Sequence, residues 1–252
     1  MYLSFSPELV VFLLGTFAAA FVTGLAGFAF GMVAASIWPF ALPPAQTTTL
    51  IVAYALLVQG YATWRLRAAI DYKRLLPFVF GSAIGIPIGV FILEYVRPAY
   101  IRTGVGVLLI AFSLYNLTRP RFREMKGLGR GGDVGVGILN GVLGASTGLG
   151  GILPVIWTTL CGWTRDEQRG VHQPTAFATF VMSLVGLGGA GLMTPATIHL
   201  LLLGLPLLIA GTLLGWALYG KLDEATFRKV VLVLLLLSGM AIVVTVRGPV
   251  PQ

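Results

Sequence analysis

Residues 9–41 read LVVFLLGTFAAAFVTGLAGFAFGMVAASIWPFA, and residues 134–160 read VGVGILNGVLGASTGLGGILPVIWTTL. Neither stretch contains an Asp, Glu, Lys or Arg. A bilayer crossing takes about 20 apolar helical residues. At 33 residues the first stretch would measure about 50 Å as one helix, against roughly 30 Å of hydrocarbon. It therefore cannot be one straight span. Both stretches are interrupted by glycines, so each is expected to break, either as a kinked crossing or as a hairpin that returns to its starting face.

Six further apolar segments surround these two, at about 45–63, 75–93, 102–118, 170–188, 196–219 and 228–246, each of single-span length. Only 10% of the 252 residues are charged, against roughly a quarter in a soluble domain. So few charges cannot cover a water-facing surface, and an all-α polytopic membrane protein is the predicted fold class. The net charge of +8 does not point to nucleic acid, because the Lys and Arg residues cluster between apolar runs as they do in cytoplasmic loops. The single cysteine, Cys161, excludes an intrachain disulfide and a multi-cysteine metal or redox motif. Residues 1–7 hold no Lys or Arg, so a cleaved secretory leader is not expected.

The two broken stretches share a spacing, G-x-x-G-x-x-x-G, at Gly24, Gly27 and Gly31 and again at Gly141, Gly144 and Gly148, an offset of 117 residues. Gly85, Gly89 and Arg102 recur as Gly211, Gly215 and Arg228 at an offset of 126. This suggests a duplication into four-segment repeats, 1–118 and 134–252, joined by a basic linker at 119–133. Charge then weighs the topology. Six full spans plus two re-entrant hairpins put 14 Lys/Arg on one side and 3 on the other, whereas eight spans give 10 and 7. The positive-inside rule favours the hairpins, and with them inverted repeats. Eight spans is the alternative.

Paired helix breaks at depth point to a transporter's central site, since unwound backbone is tolerated there only when buried in protein or lining a cavity. The candidate substrate residues at the breaks are Thr23, Gly24, Gly27, Gly31, Asn140, Gly141, Gly144, Ser146, Thr147 and Gly148. On the following spans they are Gln46, Thr49, Gln168, His172 and Gln173. All are uncharged or small. Half-helices starting at a break would present free N–H groups and a positive dipole end to an anion. The alternative for each glycine is close helix packing, which is the favoured reading for Gly85, Gly89, Gly211 and Gly215. For the polar residues the alternative is capping or interhelical hydrogen bonding. The nine acids all fall at or near span ends, leaving His172 as the only titratable candidate inside a span.

These residues resemble the TauE/SafE sulfite-exporter-like membrane proteins. The likeness rests on the length, the two four-segment halves, the glycine-rich break opening each half, and Pro43-Pro44-Ala45-Gln46 leading into a polar span. Gly85-x-x-x-Gly89 before Ile101-Arg102, and Gly211-x-x-x-Gly215 before Phe227-Arg228, complete it. The resemblance implies a secondary transporter exporting sulfite, sulfonate or related organosulfur and organic anions across the bacterial inner membrane. The expected partners are a small anionic substrate and the lipid bilayer, with a homodimer left open; no nucleic acid, cofactor or metal is expected. The competing readings are an ion-coupled importer of the same anions, a channel, a non-transporting membrane scaffold and a membrane enzyme. The enzyme reading has only Cys161 and His172 to offer, without a third orienting group.

Overall fold

The computed structural model describes residues 6–26, 29–65, 70–118, 129–218 and 224–247. Among them there is no strand. Ten α-helices follow one another: α1 Pro7–Ala26, α2 Phe30–Ile37, α3 Pro44–Arg65, α4 Tyr72–Tyr95, α5 Pro98–Thr118, α6 Gly129–Thr147, α7 Ile152–Leu160, α8 Arg165–Gly189, α9 Pro195–Leu218 and α10 Glu224–Arg247. A 3-10 turn, Trp38–Phe40, continues α2. Among the described residues, four helices are long and apolar enough to cross a membrane: Pro7–Leu25 of α1, and α4, α5 and α9. Helix α6 begins at Gly129, inside the stretch expected as linker, and residues 119–128 lie outside the described residues.

Both long apolar stretches break and double back. In the first, the Trp38 ring packs on Phe12, and its Nε1 donates to the Phe12 carbonyl at 3.2 Å. In the second, Trp157 Nε1 donates to Asp133 Oδ1 at 2.8 Å. Each return limb thus lies against the early turns of the helix that precedes the break. Indole supplies a large apolar body with one donor, which suits a contact of this kind. The backbone turn matches too. Ala29, preceding α2, has φ 92°, and Gly151, preceding α7, has φ 99°. An L-residue in this left-handed region costs roughly 1–2 kcal/mol, so Ala29 is strained where Gly151 is not.

The chain divides into two compact units that do not coincide with the sequence halves. Unit 1 holds residues 1–51, 96–120 and 195–252, and unit 2 holds 52–95 and 121–194. Each therefore draws helices from both halves. In unit 1, α1 packs on α9 and α5 on α10; in unit 2, α4 packs on α6 and α8.

The glycines explain how closely these helices cross. A Cβ on Gly85 would overlap the Ile138 carbonyl oxygen, and one on Gly89 would reach the Val142 carbonyl at 2.5 Å. In unit 1, a Cβ on Gly211 would meet the Phe17 carbonyl at 2.7 Å, and one on Gly215 the Phe21 carbonyl at 2.5 Å. These four glycines sit against backbone, the packing role expected of them. The contacts also fix a register: Phe17, Phe21 and Gly24 do for α9 what Ile138, Val142 and Ala145 do for α4, an offset of 121 residues. The shared glycine spacing at 117 is therefore one helical turn out of step with the packing. Gly24 has Ala145 as its counterpart, not Gly141.

Candidate substrate site

The break in unit 2 is built around Asn140. Its side chain is fully buried on α6, and every hydrogen-bonding proton it carries is used. Oδ1 accepts the Gly151 N–H at 2.6 Å, while Nδ2 donates to Ser82 Oγ at 3.3 Å and to Thr179 Oγ1 at 3.2 Å. Thr179 Oγ1 in turn donates to Ser82 Oγ at 3.2 Å, and Ser82 donates to the Gly137 carbonyl at 3.1 Å. A closed polar knot therefore joins α4, α6, α8 and the residue preceding α7. Satisfying all four groups matters, because each buried polar atom left unpaired costs about 1–3 kcal/mol.

The knot sits at mid-helix. Ser82 is the eleventh of the 24 residues of α4, itself long enough to span a bilayer. Two glycines let the chain close up beside it. A Cβ on Gly144 would press on Thr179 Cγ2 at 2.8 Å and lie 3.4 Å from Gly150 Cα and 3.7 Å from Ser183 Oγ, so the missing side chain lets α6 approach α8 closely. Gly151 likewise faces His172, whose Nδ1 is buried without a hydrogen-bond partner. Thr175 Oγ1 and Ser183 Oγ are also buried and unpartnered. None of the side chains forming the knot or flanking it is acidic or basic apart from His172.

The region toward the start of α8 is tied by polar links. Gln59 Nε2 donates to Gln173 Oε1, and Thr63 Oγ1 donates to the Gln173 carbonyl at 3.3 Å. Gln168 is occupied with the Trp163 carbonyl at 2.9 Å. Glu167 closes a capping box with Thr164 and accepts from Arg74 Nη1 at 2.7 Å. Arg74 also lies 4.8 Å from the Trp163 ring centroid, in cation–π geometry. The Thr164 backbone N–H, and then Arg74, hold the Glu167 carboxyl below the usual carboxylate range.

The predicted site residues thus separate. Asn140, Gly144 and His172 gather at the break of unit 2, with Gln173 beside them. Gly141 packs against Ser82 on α4. Ser146 and Thr147 bond carbonyls one turn back, at Val142 (2.6 Å) and Leu143 (2.7 Å), and Gly148 turns with φ 75°. The residues of the first break belong to unit 1. Thr23 bonds the Ala19 carbonyl at 2.7 Å, and Thr49 bonds Ala45 at 2.8 Å. Gly24 packs on α9, where a Cβ would meet the Thr212 carbonyl at 2.5 Å. Gly31 and Gln46 are half-buried on α2 and α3, and Gly27 lies outside the described residues. Sequence reading missed Ser82, Gly151, Thr179 and Ser183. Thr179 and Ser183 share one face of α8 with Thr175, but spacing does not say which hydroxyls are left unpartnered.

No group of three or more His, Cys, Asp or Glu residues that could hold a metal ion occurs among the described residues. No curated protein and no solved structure matches the chain. A family model does: that of the sulfite exporter TauE/SafE, over residues 11–242. This covers all but the ends of the chain and agrees with the apolar helices just described. The chain belongs to the TauE/SafE sulfite exporter family, a family of multi-pass membrane transport proteins and not of enzymes.

Proposed function

We propose that the protein is a secondary transporter that exports small anions of the sulfite, sulfonate or organic carboxylate type across the bacterial inner membrane by alternating access, binding them at the break between α6 and α7. The observation that carries this reading is the uncharged polar site at the middle of a membrane-length helix. It is built around a broken helix pair, with three buried polar atoms unpartnered beside it. Buried polar groups without partners are the exception in a folded protein and call for a water or a ligand. The start of α7 faces the same place, and a helix N-terminus favours negative charge.

An uncharged site binds an anion without neutralising it, so the loaded site stays negative. The membrane potential moves each charge with about 2.3 kcal/mol per 100 mV. At ~150 mV a dianion would gain roughly 7 kcal/mol on leaving a negative interior, about 10⁵-fold in concentration. Export then needs no coupling ion. The returns made by Trp38 and Trp157 support the two hairpins. The placement of Lys and Arg supports the rest, six full spans in inverted repeats, 1–118 and 134–252, with loops 64–74 and 161–169 cytoplasmic.

The test is flux in proteoliposomes against a panel of sulfite, sulfonates and carboxylates. Saturable efflux of at least one is expected, and no flux of any would overturn the reading. Topology is tested separately by single-cysteine labelling in a Cys161→Ser background. Both loops should label from the cytoplasmic face.

A further inference from the structure

Three hydroxyls share one face of α8 at Thr175, Thr179 and Ser183, all fully buried, and they are not equivalent. The middle one belongs to the knot with Asn140 and Ser82, where every proton is committed. The knot therefore has nothing free to offer an anion. The outer two are the reverse, because Thr175 Oγ1 and Ser183 Oγ have no partner. Helical Ser and Thr ordinarily escape that state by bonding the carbonyl one turn back. Thr16, Thr23, Ser146 and Thr147 of this chain all do so. Unpartnered hydroxyls occur elsewhere at Thr47, Ser113 and Thr212. Only on α8 do two of them flank a closed knot, with the unpartnered Nδ1 of His172 one turn before Thr175.

We propose that the Asn140–Ser82–Thr179 knot is the gate of the anion pathway, and that Thr175 and Ser183 are separate stations on its two sides. The outer hydroxyls stand eight residues apart, about 12 Å along the helix, which is too far for one small oxyanion to bridge. Each station offers a small oxyanion a buried hydroxyl donor that no protein group engages. Neither station is open in this state: a Cβ on Gly144 would press on Thr179 Cγ2 at 2.8 Å and one on Gly151 would come within 3.1 Å of His172, so α6 and the α7 turn must part from α8 for an anion to enter. The knot bridges α4, α6 and α8, so opening it exchanges its internal hydrogen bonds for bonds to the passing anion. Asn140 is then a positioning residue that holds the first residue of the α7 turn, not a substrate ligand. This assignment rests on the transport reading above for the identity of the ligand, but its geometry can be tested without any substrate.

The experiment introduces Thr175→Cys and Ser183→Cys, each in a Cys161→Ser background, into proteoliposomes of uniform orientation. A small membrane-impermeant methanethiosulfonate is then added from either face. Thr175→Cys should label only from the face of loop 161–169, and Ser183→Cys only from the opposite face. Adding Asn140→Ala should let both label from both faces. Should that variant fail to fold, Ser82→Ala opens the knot while leaving Asn140 on Gly151. Labelling of both positions from one face in the intact protein, or of neither from any face, overturns the gate. In flux, Thr175→Val should raise the half-saturation for sulfite about tenfold from the loop 161–169 face only, and Ser183→Ala from the other face only. Equal shifts on both faces would contradict the stations. One-sided labelling in a protein that moves no anion would uphold the gate and overturn the transport reading instead.

Discussion

The crossing of α1 with α9 and the crossing of α6 with α4 use the same device, glycines on one helix pressed to carbonyls on the other, in matching register. Their interiors differ. Where unit 2 has Asn140 and Ser82, the same offsets place Ala19 and Leu208 in unit 1, both buried and apolar. The return limbs differ in the same sense, with Trp38 bonded to a backbone carbonyl and Trp157 to the carboxylate of Asp133. The same helix crossing thus occurs twice, and at these two positions only unit 2 is polar. Close packing is common to both units, and the Asn140–Ser82–Thr179 knot belongs to unit 2.

The largest expected effect tests the shared part. Gly85→Leu and Gly211→Leu both drive a side chain into backbone, beyond the 1–3 kcal/mol of ordinary overpacking. Both should abolish recovery of monodisperse protein after detergent extraction. Gly104→Leu, at a position with nothing within 4 Å, should leave it unchanged. If either crossing tolerated leucine, the two would not be copies of one device.

Next comes the part that differs. The nearest atom to a Cβ on Gly144 is a side-chain methyl, that of Thr179 at 2.8 Å, with the Gly150 backbone at 3.4 Å, whereas Gly24 faces the Thr212 carbonyl at 2.5 Å. Gly144→Leu should therefore insert and fold but lose transport at least tenfold. Gly24→Leu should fail at folding, and equal behaviour of the two would erase the distinction. The comparison at the turn is finer. Ala29→Gly relieves left-handed strain and should stabilise by about 1 kcal/mol. Gly151→Ala adds that strain, together with a Cβ 3.1 Å from His172 Cε1, and should destabilise by at least as much. Thermal unfolding of the two variants in detergent reads both signs.

Glu167 should give the smallest effect. Its contacts with Thr164 and Arg74 hold the carboxyl below its ordinary range, so they contribute fully above that range and are lost only as the pH falls through the lowered value. The pair is half-exposed, and such pairs are worth little. Glu167→Gln should shift melting by a degree or so at pH 7, with the difference from wild type vanishing in strong acid. A larger gap in acid than at neutrality would contradict the sign.

Much of the fold was legible because lipid imposes long uncharged runs, and because a stretch of 33 apolar residues has to break. The packing register was not. Glycine spacing recurs by chance at one-turn shifts, and Gly24 matched Gly141 by pattern while Ala145 matched it by contact. Asn140, Gly144 and His172 were legible as polar or small residues at a break. Thr179 and Ser183 were not, because a hydroxyl in an apolar helix normally satisfies itself one turn back. Which ones do not depends on rotamer and neighbour, which sequence does not carry. Nor does pattern distinguish a gathered cluster such as that of unit 2 from dispersed residues such as Thr23, Gln46 and Thr49.

The central claim is that the site carries its anion uncompensated. It is tested by imposing an inside-negative potential on oriented proteoliposomes loaded with a transported anion, with pH equal on both sides. Efflux should accelerate and uptake should slow as the potential grows, and His172→Ala should change the rates only a few-fold while preserving the voltage dependence. Flux indifferent to potential, or flux that requires a pH gradient and disappears in His172→Ala, would show instead that a proton travels with the anion and that His172 carries it.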